Sequence, residues 1–366
     1  MPETRPTPKS QISRIPAYQP GSSGDGATRK VWKLSSNEAP FGPSPKALEA
    51  YAVAASQLEL YPEGSAAALR EAIGKTNGLD PMRIVCGSGS DELLSLLTRL
   101  YVGAGDETLM SERGFLMYRV HTLACGGSPV LVPEVGMNVE IDAVLSRITD
   151  KTRIVFLANP NNPTGTHISK AEMSRLAESM PSNVLLVIDA AYAEYASADD
   201  YEAGIELVEA HENVVMTRTF SKVHGLASLR IGWMYAPSHV VDAVNRIRGP
   251  FNMSGPAIAA GVAAIRDQDH VARQVRYNAE WRARLGTELR KMGLGVTEGQ
   301  ANFVLIDFPK GDPSRSADAA DAYLREQGFV LRPVKAYNLP NSLRMTIGPD
   351  EANEGVLAAL KSWLEG

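Results

Sequence analysis

The sequence predicts an α/β protein. A large domain with a mostly parallel sheet flanked by helices is expected, followed by a smaller α+β domain. Three observations carry this. Seven short β-branched runs recur between residues 83 and 235, amphipathic stretches lie between several of them, and the pattern changes after Pro256. Runs that are apolar on both alternating positions suit strands covered on both faces, as in parallel sheets. A length of 366 residues also exceeds what one core usually holds, with about 2.4 ordinary domains' worth of chain.

Residues 1–30 are rich in Pro, Gly, Ser and Thr and read as an extended arm that packs near the smaller domain. Residues 31–45 join the small domain, 46–255 form the large one, and 256–366 the small C-terminal one. The expected strands of the large domain are 83–86, 108–110, 129–132, 154–158, 184–188, 214–217 and 232–235, each bounded by Gly, Pro, Asn or charge. In the small domain one long charged helical stretch, about 257–292, leads to a strand at 303–306. A helix over 317–326 follows, then strands at 329–332 and 343–347, which are expected to be antiparallel, and a closing helix from Asp350.

Composition excludes several classes. The chain is 44% apolar and 22% charged, which a disordered or low-complexity protein is not. Its 37 basic and 42 acidic residues give a net charge of −5 with no long basic run, which argues against nucleic acid. Apolar runs stop at about five residues, far short of the roughly 18 of a membrane helix. The first ten residues lack the apolar stretch of a signal peptide. Cys86 and Cys125 make neither a disulfide framework nor a metal-ligand spacing, so no metal is expected and a reducing cytoplasm fits. Both read as small core residues.

Four segments carry chemistry. Gly87-Ser-Gly89-Ser90-Asp91-Glu92 follows a strand and opens a helix whose buried stripe is Leu93, Leu96, Leu97 and Leu100. Free backbone N–H groups and the helix dipole at such a turn suit a phosphate, although a plain capped turn has the same look. Asn159-Pro-Asn-Asn162-Pro-Thr-Gly165 sits at a strand C-terminus, where open α/β sheets bind ligands. Asp189 ends an apolar strand, either as a helix cap or as a buried carboxylate awaiting a cation. Lys222 follows the strand 214–217, with Thr219 and Ser221 before it and Arg230 eight residues on. Among apolar neighbours such a lysine can hold a depressed pKa and act as a nucleophilic amine; a solvated surface lysine is the alternative.

In this order, Gly-rich turn, Asn-Pro-Thr-Gly, strand-ending Asp, Ser-Lys and Arg, the chain resembles fold-type-I pyridoxal-phosphate aminotransferases. Further segments resemble the histidinol-phosphate aminotransferase family: Ile15-Pro-Ala-Tyr18, Leu34-Ser-Ser-Asn37, Tyr61-Pro-Glu-Gly64, Leu331-Arg332-Pro333 and Leu343-Arg344-Met-Thr-Ile-Gly348. The likeness runs from about residue 12 to the C-terminus.

The resemblance implies roles. Lys222 would bind pyridoxal phosphate covalently and then move the substrate proton. Asp189 would face the ring nitrogen, Asn162 and Tyr192 the ring hydroxyl, and Phe115 would stack on the ring. Gly89, Ser90, Asp91, Thr219, Ser221 and Arg230 would hold the phosphate, with Tyr61 arriving from the neighbouring subunit of a homodimer. Arg344, Arg332, Tyr18 and Asn37 would bind substrate, and Asn302 would lie close by. His224 is expected to pack structurally. Ala190 stands where many relatives carry Glu.

The implied activity is transamination between L-histidinol phosphate and 2-oxoglutarate. An aromatic amino acid aminotransferase is the alternative, and a threonine-phosphate decarboxylase a further one. A non-enzymatic regulator is disfavoured, because residues 1–30 hold no DNA-binding module and Lys222 is intact.

Overall fold

The computed structural model describes residues 6–17 and 30–366. The chain runs through β1 (Trp32–Lys33), α1 (Pro45–Ala54), α2 (Ala67–Asn77), β2 (Ile84–Gly87) and α3 (Ser90–Tyr101). Next come β3 (Glu107–Ser111), α4 (Leu116–Cys125), β4 (Ser128–Val132), the hairpin β5 (Glu134–Val135) and β6 (Asn138–Val139), and α5 (Ile141–Leu145). The large unit continues with β7 (Thr152–Ala158), α6 (Lys170–Ser179), β8 (Leu185–Asp189), α7 (Ile205–Ala210), β9 (Val214–Thr219) and β10 (Gly232–Tyr235). Three helices follow: α8 (Ser238–Ile247), α9 (Gly255–Arg266) and α10 (Gln268–Lys291). The rest is β11 (Gly295–Val296), β12 (Phe303–Asp307), α11 (Ala317–Glu326), β13 (Phe329–Val330), β14 (Arg332–Pro333), β15 (Ser342–Thr346) and α12 (Asp350–Glu365).

All seven expected strands of the large unit join one sheet in the order β2-β10-β9-β8-β7-β3-β4. Pairing is parallel except for β10, which runs antiparallel to both its neighbours. The alternation of side chains explains why these strands read as unbroken apolar runs. Ile154, Phe156, Leu185 and Val187 face one core, which includes Leu93 and Leu97 of α3. Val155, Leu157, Leu186 and Ile188 face the other. Each fully buried leucine or isoleucine contributes about 1.5–3 kcal/mol. Cys86 lies inside the second of these cores and Cys125 packs beside the first, and both are free thiols.

The small unit is a four-stranded antiparallel sheet, β11-β12-β15-β14, against α10, α11 and α12. β1 pairs in parallel with β13, and the Leu34 carbonyl accepts from the Thr346 backbone N–H at 2.9 Å. Residues 32–34 are thus hydrogen-bonded to strands of the small unit.

Three expectations are corrected. The helical stretch 257–292 is two helices broken at Asp267, whose carboxylate accepts from Ser44 Oγ and from Lys46 Nζ. The first, α9, lies against α1 and α2 and places Ala257, Ala260, Ala264 and Ile265 in the large unit's core. The boundary at 255/256 therefore falls one helix early. Its small alanines gave no sign of which core they fill. The part of the arm that is described, with a 3-10 turn at Ser10–Arg14, rests against α4 of the large unit rather than near the small one. Nothing periodic in those residues marks a partner. Among the described residues, no helix is long and apolar enough to cross a membrane.

Candidate active site

A cavity of about 300 Å³ opens at the C-terminal ends of the parallel strands, closed on its far side by β14 and β15. This is where open α/β sheets place their ligands. Its floor is the end of β8: Asp189 is buried, and its carboxylate accepts from the Tyr118 hydroxyl at 2.7 Å and the Thr217 hydroxyl at 3.3 Å. Burial raises the Asp189 pKa above the usual carboxylate range, and the two hydroxyls oppose that rise. Asp189 caps no helix. Tyr192 is buried too; its hydroxyl accepts from Asn37 Nδ2 at 2.8 Å, and burial pushes its pKa up to about 12. Its hydroxyl therefore remains protonated at working pH.

Lys222 enters from the loop after β9 and donates from Nζ to the Ser36 carbonyl at 3.3 Å. It is not a surface lysine. Burial, then the Arg344 guanidinium, lower its pKa to about 8, with Arg230 adding to the effect. A substantial fraction of neutral amine is therefore present near neutral pH, which a lysine of ordinary pKa lacks. Uptake of pyridoxal phosphate by the apoprotein requires that neutral amine. The uptake rate should therefore rise with a midpoint near pH 8, measured by stopped-flow absorbance. A midpoint in the ordinary lysine range would show that this environment does not perturb the amine.

The α3 N-terminus forms another wall through Ser90 and Asp91. Gly89 does not line the cavity but shapes it. Its φ is +86°, and a Cβ there would stand 2.4 Å from Arg230 Nη2. The Gly232 backbone lies as close on the other side, where a Cβ would meet Ser90 N at 2.1 Å. Only glycine permits this approach of turn, strand and guanidinium. Arg230 has a φ of +52°, a left-handed conformation that costs a non-glycine residue about 1–2 kcal/mol. From there Arg230 donates to Ser221 Oγ at 3.3 Å. The Thr219 hydroxyl accepts from the Ser221 backbone at 3.1 Å and donates to the Ile231 carbonyl at 3.3 Å, so it holds the loop's shape. Phe115 lines the cavity and meets the edge of Tyr118.

Asn162 accepts from Arg344, whose other nitrogen donates to the Ser35 carbonyl at 2.8 Å. Arg344 is buried on β15, and Arg332 of β14 is its direct cross-strand partner. Directly opposed residues project from the same face of a sheet, so two guanidiniums share one cavity wall.

Of the remaining expected residues, Asn37 lines the cavity, also at a positive φ. Asn302 sits behind it, donating from Nδ2 to the Asn37 carbonyl at 3.0 Å. Tyr61 does not line its own chain's cavity; it is 83% exposed and stacked on Phe251 at 4.7 Å. Tyr18 lies outside the described residues. His224 stacks on Phe220 and is buried, which drives its pKa down to about 3, in keeping with a packing role. Ala190 is buried in the large core and does not line the cavity.

Sequence reasoning assigned no role to Tyr118, Thr217, Tyr337 or the Ser35 and Ser36 carbonyls. A tyrosine on an apolar helix face or in a loop carries no chemical signal of its own, and backbone acceptors leave none.

A buried carboxylate, a lysine of lowered pKa and a glycine turn beside an arginine thus meet in one cavity at the sheet's carboxyl edge, an arrangement suited to amine chemistry on an anionic ligand. A family model described as aminotransferase class I and II matches residues 29–360. A histidinol-phosphate aminotransferase of Rhodopseudomonas palustris (strain HaA2) is 56% identical over 362 residues, 99% of both chains. The solved histidinol-phosphate aminotransferase from Sinorhizobium meliloti, in complex with pyridoxal-5'-phosphate, has a TM-score of 0.86 at 31% identity over 92% of each chain. The chain belongs to the class I and II aminotransferases and, within them, to the histidinol-phosphate aminotransferase family. L-threonine-O-3-phosphate decarboxylase from Porphyromonas gingivalis has a TM-score of 0.78 at 20% identity, covering 91% of this chain and 99% of that one, a likeness of fold alone.

Proposed function

We propose that this protein transfers an amino group between L-histidinol phosphate and 2-oxoglutarate, using pyridoxal phosphate, in the cytoplasm. The observation that carries the choice of substrate is the Arg332–Arg344 pair on one cavity wall. A phosphate dianion can engage two guanidinium forks, whereas one bidentate arginine satisfies a carboxylate.

The residues present fit pyridoxal phosphate. Gly89 leaves room for the Arg230 guanidinium beside the α3 N-terminus, so Ser90, Asp91, Thr219, Ser221 and Arg230 would hold the phosphate. Phe115 would cover one ring face, and Asn162 and Tyr192 would meet the ring hydroxyl. Bound there, the cofactor supplies an electron sink for the amine-bearing carbon of the substrate. Asp189, ionised, would hold a proton on the ring nitrogen. Lys222 would attach the cofactor and then, as a free amine, take and return the substrate proton. Its lowered pKa suits both tasks.

A homodimer belongs to the same proposal. Tyr61 and Phe251 stack outside their own cavity, and Leu48, Tyr51, Val53, Leu58 and Leu60 are exposed. Exposed apolar side chains in such number mark an interaction surface. The partner subunit's Tyr61 would complete the phosphate corner.

Arg332→Ala tests the substrate assignment. Losing one charged hydrogen bond of about 1.5–3 kcal/mol should lower kcat/KM for histidinol phosphate about 10- to 150-fold. The glutamate half-reaction should change much less. Equal small losses on both substrates would remove the two-arginine argument and favour an aromatic amino acid as donor.

A further inference from the structure

Asp189 holds its carboxylate in a buried place that a charge tolerates only with strong partners. Its shorter hydrogen bond, 2.7 Å, comes from Tyr118, which does not line the cavity. Tyr118 is itself held. Its ring is stacked on Phe156 at 4.8 Å with 7° between planes, and Phe115 meets it edge-on at 5.6 Å. Its backbone carbonyl accepts from Thr122 Oγ1 at 2.7 Å, and that hydroxyl is paired with Thr108 at 2.7 Å. A rigid, buried phenol whose hydroxyl is directed at a cavity carboxylate does more than fill space.

We propose that Tyr118 is a positioning residue for the transfer reaction: its hydroxyl holds Asp189 ionised and aimed at the ring nitrogen of pyridoxal phosphate. This rests on the reading that Asp189 faces that nitrogen.

The electrostatics agree in sign. Burial and the neighbouring Asp189 carboxylate raise the Tyr118 pKa well above the usual phenol range, so Tyr118 stays a donor. A donor to a carboxylate favours its charged form. The Thr217 hydroxyl from β9 and the Ala191 backbone N–H also favour the charge on Asp189, while Asp91 from α3 disfavours it. Lys222 favours it from the loop after β9. Tyr192 and Tyr337 lie at longer range, and Tyr192 is neutral at working pH. Removing the Tyr118 hydroxyl would let the proton on the ring nitrogen pass more readily to the carboxylate.

The test is ¹⁵N NMR of ring-labelled pyridoxal phosphate bound to the full-length protein, followed against pH. Tyr118→Phe keeps the ring stack, and the midpoint for losing the ring-nitrogen proton should fall by about one pH unit. With it, kcat should fall about tenfold while KM stays close to wild type. Replacing Tyr118 by 3-fluorotyrosine, a stronger donor of nearly the same shape, should raise the midpoint and decides the matter if the Phe variant does not fold. Wild-type midpoints in these variants would overturn the role of Tyr118 and leave Asp189 untouched. A midpoint unchanged in Asp189→Asn would instead overturn the reading of Asp189 itself.

Discussion

Lys222→Ala is expected to abolish turnover, with a fall of about four orders of magnitude or more. Positioned proton transfer alone is worth about 10²- to 10⁴-fold, and loss of covalent attachment adds to it. The remaining polar lining would still hold the cofactor's phosphate through Arg230, Ser221 and the α3 N-terminus. Borohydride should then trap no cofactor on the protein, whereas in the wild type it should fix one equivalent on Lys222. Peptide mapping checks this. Cofactor trapped on a different lysine would displace Lys222 from the centre of the account.

Asp189→Asn carries the second largest effect. The amide keeps the size of the side chain and can still meet Tyr118 and Thr217, so the fold and cofactor binding should persist. It carries no charge to hold a proton on the ring nitrogen. A charge-assisted hydrogen bond of about 1.5–3 kcal/mol corresponds to about 10- to 150-fold in kcat, before any weakening of the electron sink is counted. Steady-state kinetics with saturating cofactor measures it. Turnover close to wild type would reduce Asp189 to a structural carboxylate.

Much of the fold was legible because it is local. Each strand of the large sheet announces itself as a short apolar run, since both faces are covered and neither alternate position needs to be polar. The break at Asp267 was hidden because helical character resumes at the next residue, with only a carboxylate bound to Ser44 and Lys46 to mark the join. The direction of β10 depends on pairing with β2, about 150 residues away in sequence, and no local pattern encodes it.

The site divides the same way. Lys222, Asp189, Tyr192 and Arg230 sit at strand ends or in loops where their chemistry stands out, and they line one cavity. Tyr118 looks like any apolar-face residue of an amphipathic helix, and its hydrogen bond to Asp189 spans 71 positions. The Ser36 carbonyl that meets Lys222 is backbone, 186 positions away. Contacts of that kind exist only once the small unit has brought residues 34–37 across the mouth of the large one.

The identity of the amino donor is tested most directly by competing substrates. Purified protein, loaded with pyridoxal phosphate and given 2-oxoglutarate as acceptor, should be compared on L-histidinol phosphate and L-phenylalanine as donors by following glutamate formation. Recognition of the donor through its phosphate requires a kcat/KM for histidinol phosphate at least about 10-fold above that for phenylalanine, the share of one charged hydrogen bond to the phosphate. Equal or faster transfer from phenylalanine would contradict it.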